Sequence, residues 1–160
     1  MNSIVIDYSE AKYRKFAPKK EVVSFLNEVL AYEKMDRVQF SVSFIDENQM
    51  HSLNLQYRGI DDSTDILSFA VRDGNDDFAF VSGKSRYENI GDILICPEVC
   101  ERNADIFKIT SWEELHRLLI HGVLHLNGMN HSSNDATEPM LVHQEDMMNK
   151  IFKNPKGGIK

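Results

Sequence analysis

The segment His121-Gly-Val-Leu-His125-Leu-Asn-Gly128-Met-Asn-His131 constrains this chain more than any other feature. Residues four apart on an α-helix share a face, so a helix through His121 and His125 presents two imidazoles to one point. Gly128 stands where such a helix must end, and glycine enters left-handed backbone without a Cβ penalty. The chain then turns back and delivers His131 as a third nitrogen. Three protein ligands with a fourth position open is the arrangement of a catalytic zinc, not a structural one. Water at such a position ionises near neutral pH, with a pKa of about 7. A lone histidine on a helix is ordinarily packed or solvated, and pairs at this spacing arise by chance. A third histidine beyond a turn-forming glycine does not fit that reading. One such set predicts one Zn2+ per chain, held by His121, His125 and His131.

Around this segment the pattern predicts strands and helices in mixed order. Residues 4–7 read as a first strand, and Pro18 opens a helix with Val22, Leu26, Val29 and Leu30 on one stripe. Val38, Phe40, Val42 and Phe44 alternate with Gln39, Ser41 and Ser43, which predicts a half-buried strand. Asp46 is placed to cap a short helix carrying Met50 and Leu53. Residues 65–71 and 91–96 read as strands, residues 72–89 as a long loop or irregular hairpin, and Pro97 as the start of a helix. Thr110 and Ser111, followed by Glu113 and Glu114, predict a capping-box start for the histidine helix. Its buried side is supplied by Leu115, Leu118, Leu119 and Leu124. Thr137 is expected to cap a last helix, with Pro139 in its first turn and Met140, Met147 and Ile151 on one face. The expected class is α+β, a small mixed β-sheet packed against several helices. The metal site falls on a central helix and the turn after it. A length of 160 residues predicts a single domain over 1–160.

The formal net charge of -7 argues against general, non-specific binding of nucleic acid. Arg14, Lys15, Lys19 and Lys20, and separately Lys153, Lys156 and Lys160, offer local basic clusters, which are ordinarily solvated surface. The opening MNSIVIDYSEAKYRKF has no apolar signal region, and no run approaches the ~20 apolar residues of a membrane span. Cys96 and Cys100 lie too close for a useful disulfide and read as packing thiols. These features predict a reduced, cytoplasmic chain with no membrane partner.

Metzincin peptidases share the histidine spacing, in the pattern H-E-x-x-H-x-x-G-x-x-H. Their general-base glutamate follows the first histidine, where this chain has Gly122, so proteolysis is the weaker reading. The segment resembles instead the YbeY family of bacterial ribosomal-RNA maturation factors, with pattern H-G-x-L-H-L-x-G-Y-D-H. His121, Gly122, Leu124, His125, Leu126, Gly128 and His131 all agree. Further blocks follow the family order: Phe44-Ile45-Asp46-Glu47, Leu53-Asn54-Leu55-Gln56-Tyr57-Arg58, Thr64-Asp65-Ile66-Leu67-Ser68-Phe69 and Gly91-Asp92-Ile93. Met129-Asn130 replaces the usual Tyr-Asp, and Ser63 the usual proline. Asn130 still hydrogen-bonds but carries no charge.

The resemblance implies a zinc-dependent, single-strand-specific endoribonuclease. Its implied roles are maturation of the 16S rRNA 3′ end and ribosome quality control. The implied partners are ribosomal RNA, the small ribosomal subunit and its assembly proteins. It also implies that Arg58 is a catalytic arginine beside the metal. That role is chemically apt, because a phosphodiester transition state gathers negative charge and a guanidinium clamps it in bidentate fashion. A metal-activated water and the RNA's own 2′-hydroxyl both remain open as the attacking group. An alternative is a non-catalytic, zinc-stabilised ribosome assembly factor, which a net charge of -7 suits. His51, His116 and His143 are expected to be packed or exposed, and Asp65 either to orient a ligand or to hold a turn.

Overall fold

The computed structural model describes residues 1–74 and 86–154. In chain order they form β1 (Ser3–Tyr8), α1 (Tyr13–Phe16), α2 (Lys19–Tyr32), β2 (Val38–Phe44), α3 (Glu47–Arg58), β3 (Ile66–Ala70), a 3-10 turn (Val71–Asp73), β4 (Glu88–Ile95), α4 (Pro97–Phe107), α5 (Ser111–Leu126), α6 (Pro139–Met147) and a π-helical turn (Met148–Phe152). The sheet order is β1-β2-β4-β3. β1, β2 and β4 run parallel, and β3 pairs antiparallel with β4 at the edge. This is the expected α+β architecture with a small mixed sheet. Part of the expected long loop, residues 75–85, lies outside the described residues, as do Lys156 and Lys160. Among the described residues no helix is long and apolar enough to cross a membrane.

β2 departs from the half-buried strand its alternation predicts. Gln39 and Ser41 are as buried as Phe40 and Val42. The reason is position: β2 lies between two parallel neighbours, and interior parallel strands are covered on both faces. Phe40, Val42, Phe44, Ile93 and Ile95 face a large cluster with α2 and α5. The opposite side holds a smaller cluster of Ile45, Met50, Leu67, Phe69, Leu94, Cys96 and Val99. The Ser41 hydroxyl donates to the Asp92 carboxylate at 2.6 Å, so one polar group of the alternation is paired inside the protein. Both cysteines are free and buried, as packing thiols.

Asp46 caps α3 in a full box: its Oδ1 accepts from the Gln49 amide at 2.8 Å, and Gln49 Oε1 accepts from the Asp46 amide at 3.4 Å. The helix runs to Arg58 and closes at Gly59 with φ 69°. At α5 the box is half made. Thr110 Oγ1 accepts from the Glu113 amide at 3.0 Å, but the Glu113 carboxylate is taken by Arg117 at 3.0 Å. α6 corrects another expectation. Thr137 donates its hydroxyl to Asp135 at 2.8 Å, and Glu138 occupies the N-cap position without a side-chain cap bond. The Glu138 carboxylate accepts instead from Ser132 and Ser133. Pro139 takes the first helical position, where no amide is missed.

Two glycines set how closely α5 can approach the sheet. Gly91 has φ 138° and pairs with Phe40 just past a register slip in β2. A Cβ there would overlap the Phe69 carbonyl and lie 2.9 Å from Leu126. Gly122 sits on the buried side of α5, where a Cβ would come within 2.7 Å of Ile93.

His116 also lies on the buried side of α5, 3% exposed, with ring centroids 4.4 Å from Phe25, 4.4 Å from Trp112 and 4.8 Å from Phe152. Its Nδ1 donates to the Trp112 carbonyl at 2.6 Å. Burial pushes its pKa down to about 4, so the folded state holds it neutral. A depressed histidine contributes stability above its unfolded pKa and loses it as the pH falls. Glu114, pushed up by burial to about 7, acts in the opposite sense, so the wild-type profile is a sum of both. The informative quantity is the difference between wild type and His116→Phe. In chemical denaturation the variant should gain about 2–3 kcal/mol relative to wild type between pH 6.5 and 4. A pH-independent difference would show that His116 does not titrate on unfolding.

Candidate metal centre and its cleft

α5 delivers His121 and His125 on one face, and the helix exit delivers His131. Gly128 carries φ 97°. Its amide bonds to the His125 carbonyl at 3.0 Å, and the Met129 amide reaches the Leu124 carbonyl at 2.9 Å. Those two bonds form a Schellman close, which turns the chain back over the last helical turn. The three rings stand with centroids 4.6, 5.2 and 5.4 Å apart. One ligand atom from each lies within 4.8 Å of the others, close enough to share one metal ion.

Each ring is held from behind. Gln144 Oε1 lies 2.7 Å from His121 Nδ1, and the Ser133 carbonyl 2.8 Å from His131 Nδ1. Both are acceptors, so each Nδ1 donates its proton and each Nε2 keeps a free lone pair. His125 is held by the Met129 main chain and the Asn130 side chain. Its Nε2 lies 3.1 Å from that of His121. Ligands about 2.0–2.1 Å from a tetrahedral ion sit roughly 3.3–3.4 Å apart, so the pair needs only a small adjustment. Burial lowers the pKa of both His121 and His125, the latter to about 4, so both are neutral donors at pH 7. Three imidazole nitrogens suit zinc and its borderline neighbours. The rings are half-buried, and the group opens on a cleft of about 920 Å3.

Arg58 lines the same cleft from the exposed end of α3. Next to it, Tyr57 packs edge-on against Phe69 at 5.3 Å, and Phe69 adjoins Gly91 and Leu126. Among the described residues the Arg58 guanidinium has no ion-pair or hydrogen-bond partner. Asp65 lines the cleft as well. Its carboxylate accepts from Asn103 at 3.1 Å and Thr64 at 3.4 Å, and its carbonyl accepts from the Cys96 amide at 2.9 Å. Asp65 therefore holds the turn into β3. His51 and His143 lie outside the group, on Asp61 and Glu33.

Sequence reasoning did not find Gln144. It lies 23 residues from His121, on another helix, and a lone glutamine carries no metal-type spacing. Nor did it single out Arg117, whose guanidinium bonds Glu145 at 2.8 Å while Glu145 accepts from Gln144 at 3.2 Å. These side chains extend the support behind the His121 ring.

The chain is thus an α+β protein whose central helix and exit turn can hold a metal ion in an open cleft. Residues 4–152 match the family model described as Endoribonuclease YbeY, and the chain belongs to that family. It is 37% identical to the Endoribonuclease YbeY of Treponema denticola, over 96% of this chain and 95% of that one. With the Endoribonuclease YbeY of Lactobacillus gasseri the identity is 34%, over 88% and 85%. The solution structure of TM1509 from Thermotoga maritima is similar with a TM-score of 0.57 and 26% identity, covering 98% of this chain and 99% of that one.

Groups that orient a ligating histidine typically contribute 10–100-fold to metal affinity. Gln144→Leu keeps the volume and removes the acceptor on His121, so it should weaken zinc binding by about 10–100-fold. Competition against a chromophoric chelator reads this directly. Gln144→Glu restores an acceptor and should recover most of the affinity. Equal affinity in the leucine variant would exclude Gln144 as a support of the centre.

Proposed function

We propose that this chain is a zinc-dependent, single-strand-specific endoribonuclease. It acts in the cytoplasm, in maturation of the 16S rRNA 3′ end and in ribosome quality control. Its partners are ribosomal RNA, the small ribosomal subunit and its assembly proteins, and residues 1–160 work as one domain. The observation that carries the reading is the pairing of the three-histidine group with an unengaged arginine across one cleft. Membership of an endoribonuclease family supports it.

His121, His125 and His131 would hold one Zn2+, which supplies Lewis-acid polarisation and activation of water near neutral pH. Gln144 and the Ser133 carbonyl keep the Nδ1 protons of His121 and His131 away from the ion. Arg58 receives the scissile phosphate. Its fork matches two phosphate oxygens and stabilises the charge that builds as the phosphodiester is attacked. No carboxylate among the described residues competes for it, so the clamp is ready without first breaking an ion pair.

A peptidase reading meets a steric obstacle. Position 122, where such enzymes carry their glutamate, is turned into the sheet within 2.7 Å of Ile93 and has no room for a carboxylate aimed at substrate. A non-catalytic assembly factor is favoured only by the net charge of -7, and one comparison separates it. His125→Ala should lose zinc and cleavage of single-stranded RNA while still associating with the small subunit. Wild-type protein that holds zinc, associates and never cleaves would establish the non-catalytic role.

Arg58→Ala should keep fold and zinc content and lower cleavage by something like ~100-fold, the scale for loss of one transition-state charge donor. Arg58→Lys should rescue little, because a point charge does not replace the fork. Single-turnover cleavage of a labelled single-stranded RNA gives the rate. Unchanged cleavage in Arg58→Ala would remove the clamp from the mechanism.

A further inference from the structure

The cleft is larger than one phosphate requires. From the histidines it continues along β3 to α4 and the first turns of α5. All five residues of β3 line it, so for an edge strand the cleft follows the free edge. Antiparallel pairing fixes which main-chain groups face it. The Asp65 carbonyl accepts from the Cys96 amide, so Asp65, Leu67 and Phe69 turn theirs toward β4. Ile66 and Ser68 therefore turn theirs outward. Among the described residues the Ser68 hydroxyl also lacks a hydrogen-bond partner.

The far wall has the character of a base-binding surface. Phe107 and Asn103 are four apart on α4, hence on one face, and both line the cleft. Phe107 is 59% exposed, an expensive placement for a phenyl ring with nothing to cover it. Asn103 gives its amide N–H to Asp65 at 3.1 Å, which leaves its carbonyl oxygen as the free acceptor. This end offers a phosphate no unpaired cation among the described residues. Asp65 and Glu114 are carboxylates set into the wall, and Arg117 is already shared among Glu113, Glu114 and Glu145. Glu114 and His121 are two helical turns apart on the α5 stripe, about 10 Å. A nucleotide spans roughly that distance from its phosphate to the edge of its base.

We propose that Phe107, Asn103 and the outward edge of β3 form a subsite for one unpaired nucleobase adjoining the scissile phosphate. This rests on the nuclease reading above. Phe107 stacks on the base, as aromatic side chains do in single-strand binders. The polar wall offers acceptors in the main, from Asn103 and the outward carbonyls. It therefore favours a base edge rich in N–H donors. Guanine, with N1–H beside its 2-amino group, fits best. Uracil, with carbonyls on both sides of one N–H, fits worst. In a duplex the same edge is engaged by its partner strand, so the subsite supplies a physical basis for rejecting paired RNA.

The test uses the zinc-loaded full chain and mononucleotides, which cannot be cleaved. Binding of GMP, AMP, CMP, UMP and ribose 5-phosphate is followed by NMR titration. GMP should bind about tenfold tighter than UMP. Phe107→Ala should weaken GMP by about tenfold, leave ribose 5-phosphate unchanged and keep zinc content. Phe107→Trp should restore binding. Asn103→Ala should narrow the gap between GMP and UMP. On single-stranded RNA, Phe107→Ala should raise KM with kcat retained. Phe107 is exposed, so its variants carry little risk of misfolding. The subsite is overturned if Phe107→Ala binds all four mononucleotides as wild type does, or if GMP, UMP and ribose 5-phosphate bind wild type equally. Base-dependent binding by a protein that cleaves no RNA would sink the nuclease reading and leave the subsite standing.

Discussion

Everything at the centre depends on how helix α5 is seated. One side must press into the sheet while the other lines an open cleft. Gly122 makes that possible, because the helix meets Ile93 at a distance no side chain at that position would allow. Leu115, Leu119, Ile120, Val123 and Leu124 then bury completely around the contact. The opposite stripe, Glu114, Leu118, His121 and His125, is left on the cleft wall. Two histidines on a helix packed this way have little backbone freedom to lose. The third arrives through a close held by two main-chain bonds and the left-handed Gly128. The metal group is thus organised by core packing before any ion is considered.

The parts of this design that were legible in the sequence are those with local causes. Spacing alone placed His121 and His125 on one face, and a glycine alone gave the turn that returns His131. The end of α3 at Arg58 follows from Gly59, and the cap at Asp46 from Gln49 three residues on. What stayed hidden depends on partners distant in sequence. Gln39 and Ser41 look like solvent positions until the strand order encloses β2 between two others. Thr137 looks like a cap until Asp135 takes its hydroxyl. Gln144 acquires meaning only when α6 crosses α5 and brings its amide to His121. Asn103 and Phe107 carry no motif, and Glu114 enters only through a capping pattern, because a cleft wall is defined by what faces it.

Net charge was similarly uninformative about the cleft itself. A value of -7 describes the field at a distance, where the chain repels a polyanion. Inside the cleft the charges are sorted by partner. The Arg58 guanidinium is unengaged among the described residues, whereas Asp65 and Glu114 are set into the wall beside Asn103 and Arg117. The burial that raises the pKa of both carboxylates also disfavours any further unpaired charge beside them. An acidic protein can therefore present one directional seat for a nucleotide, phosphate toward Arg58 and base toward α4. Long-range capture of RNA is left to whatever brings the chain to its substrate.

The two arginines of the cleft show how partners divide one residue type between tasks. Burial opposes the charge on Arg117, yet its hydrogen bonds to Glu145 and Glu113 hold its pKa above the ordinary value. Most of its donors are spent on three carboxylates, so it has no free fork to offer a phosphate. What it does instead is fix Glu145, which fixes the Gln144 amide, which fixes the proton on His121 Nδ1. Arg58 stands on an exposed helix end with its fork uncommitted among the described residues. A guanidinium already paired must give up those bonds before it can stabilise a transition state, and an unpaired one need not. Placement among partners, more than residue type, is what suits Arg58 to the proposed clamp and Arg117 to a supporting place.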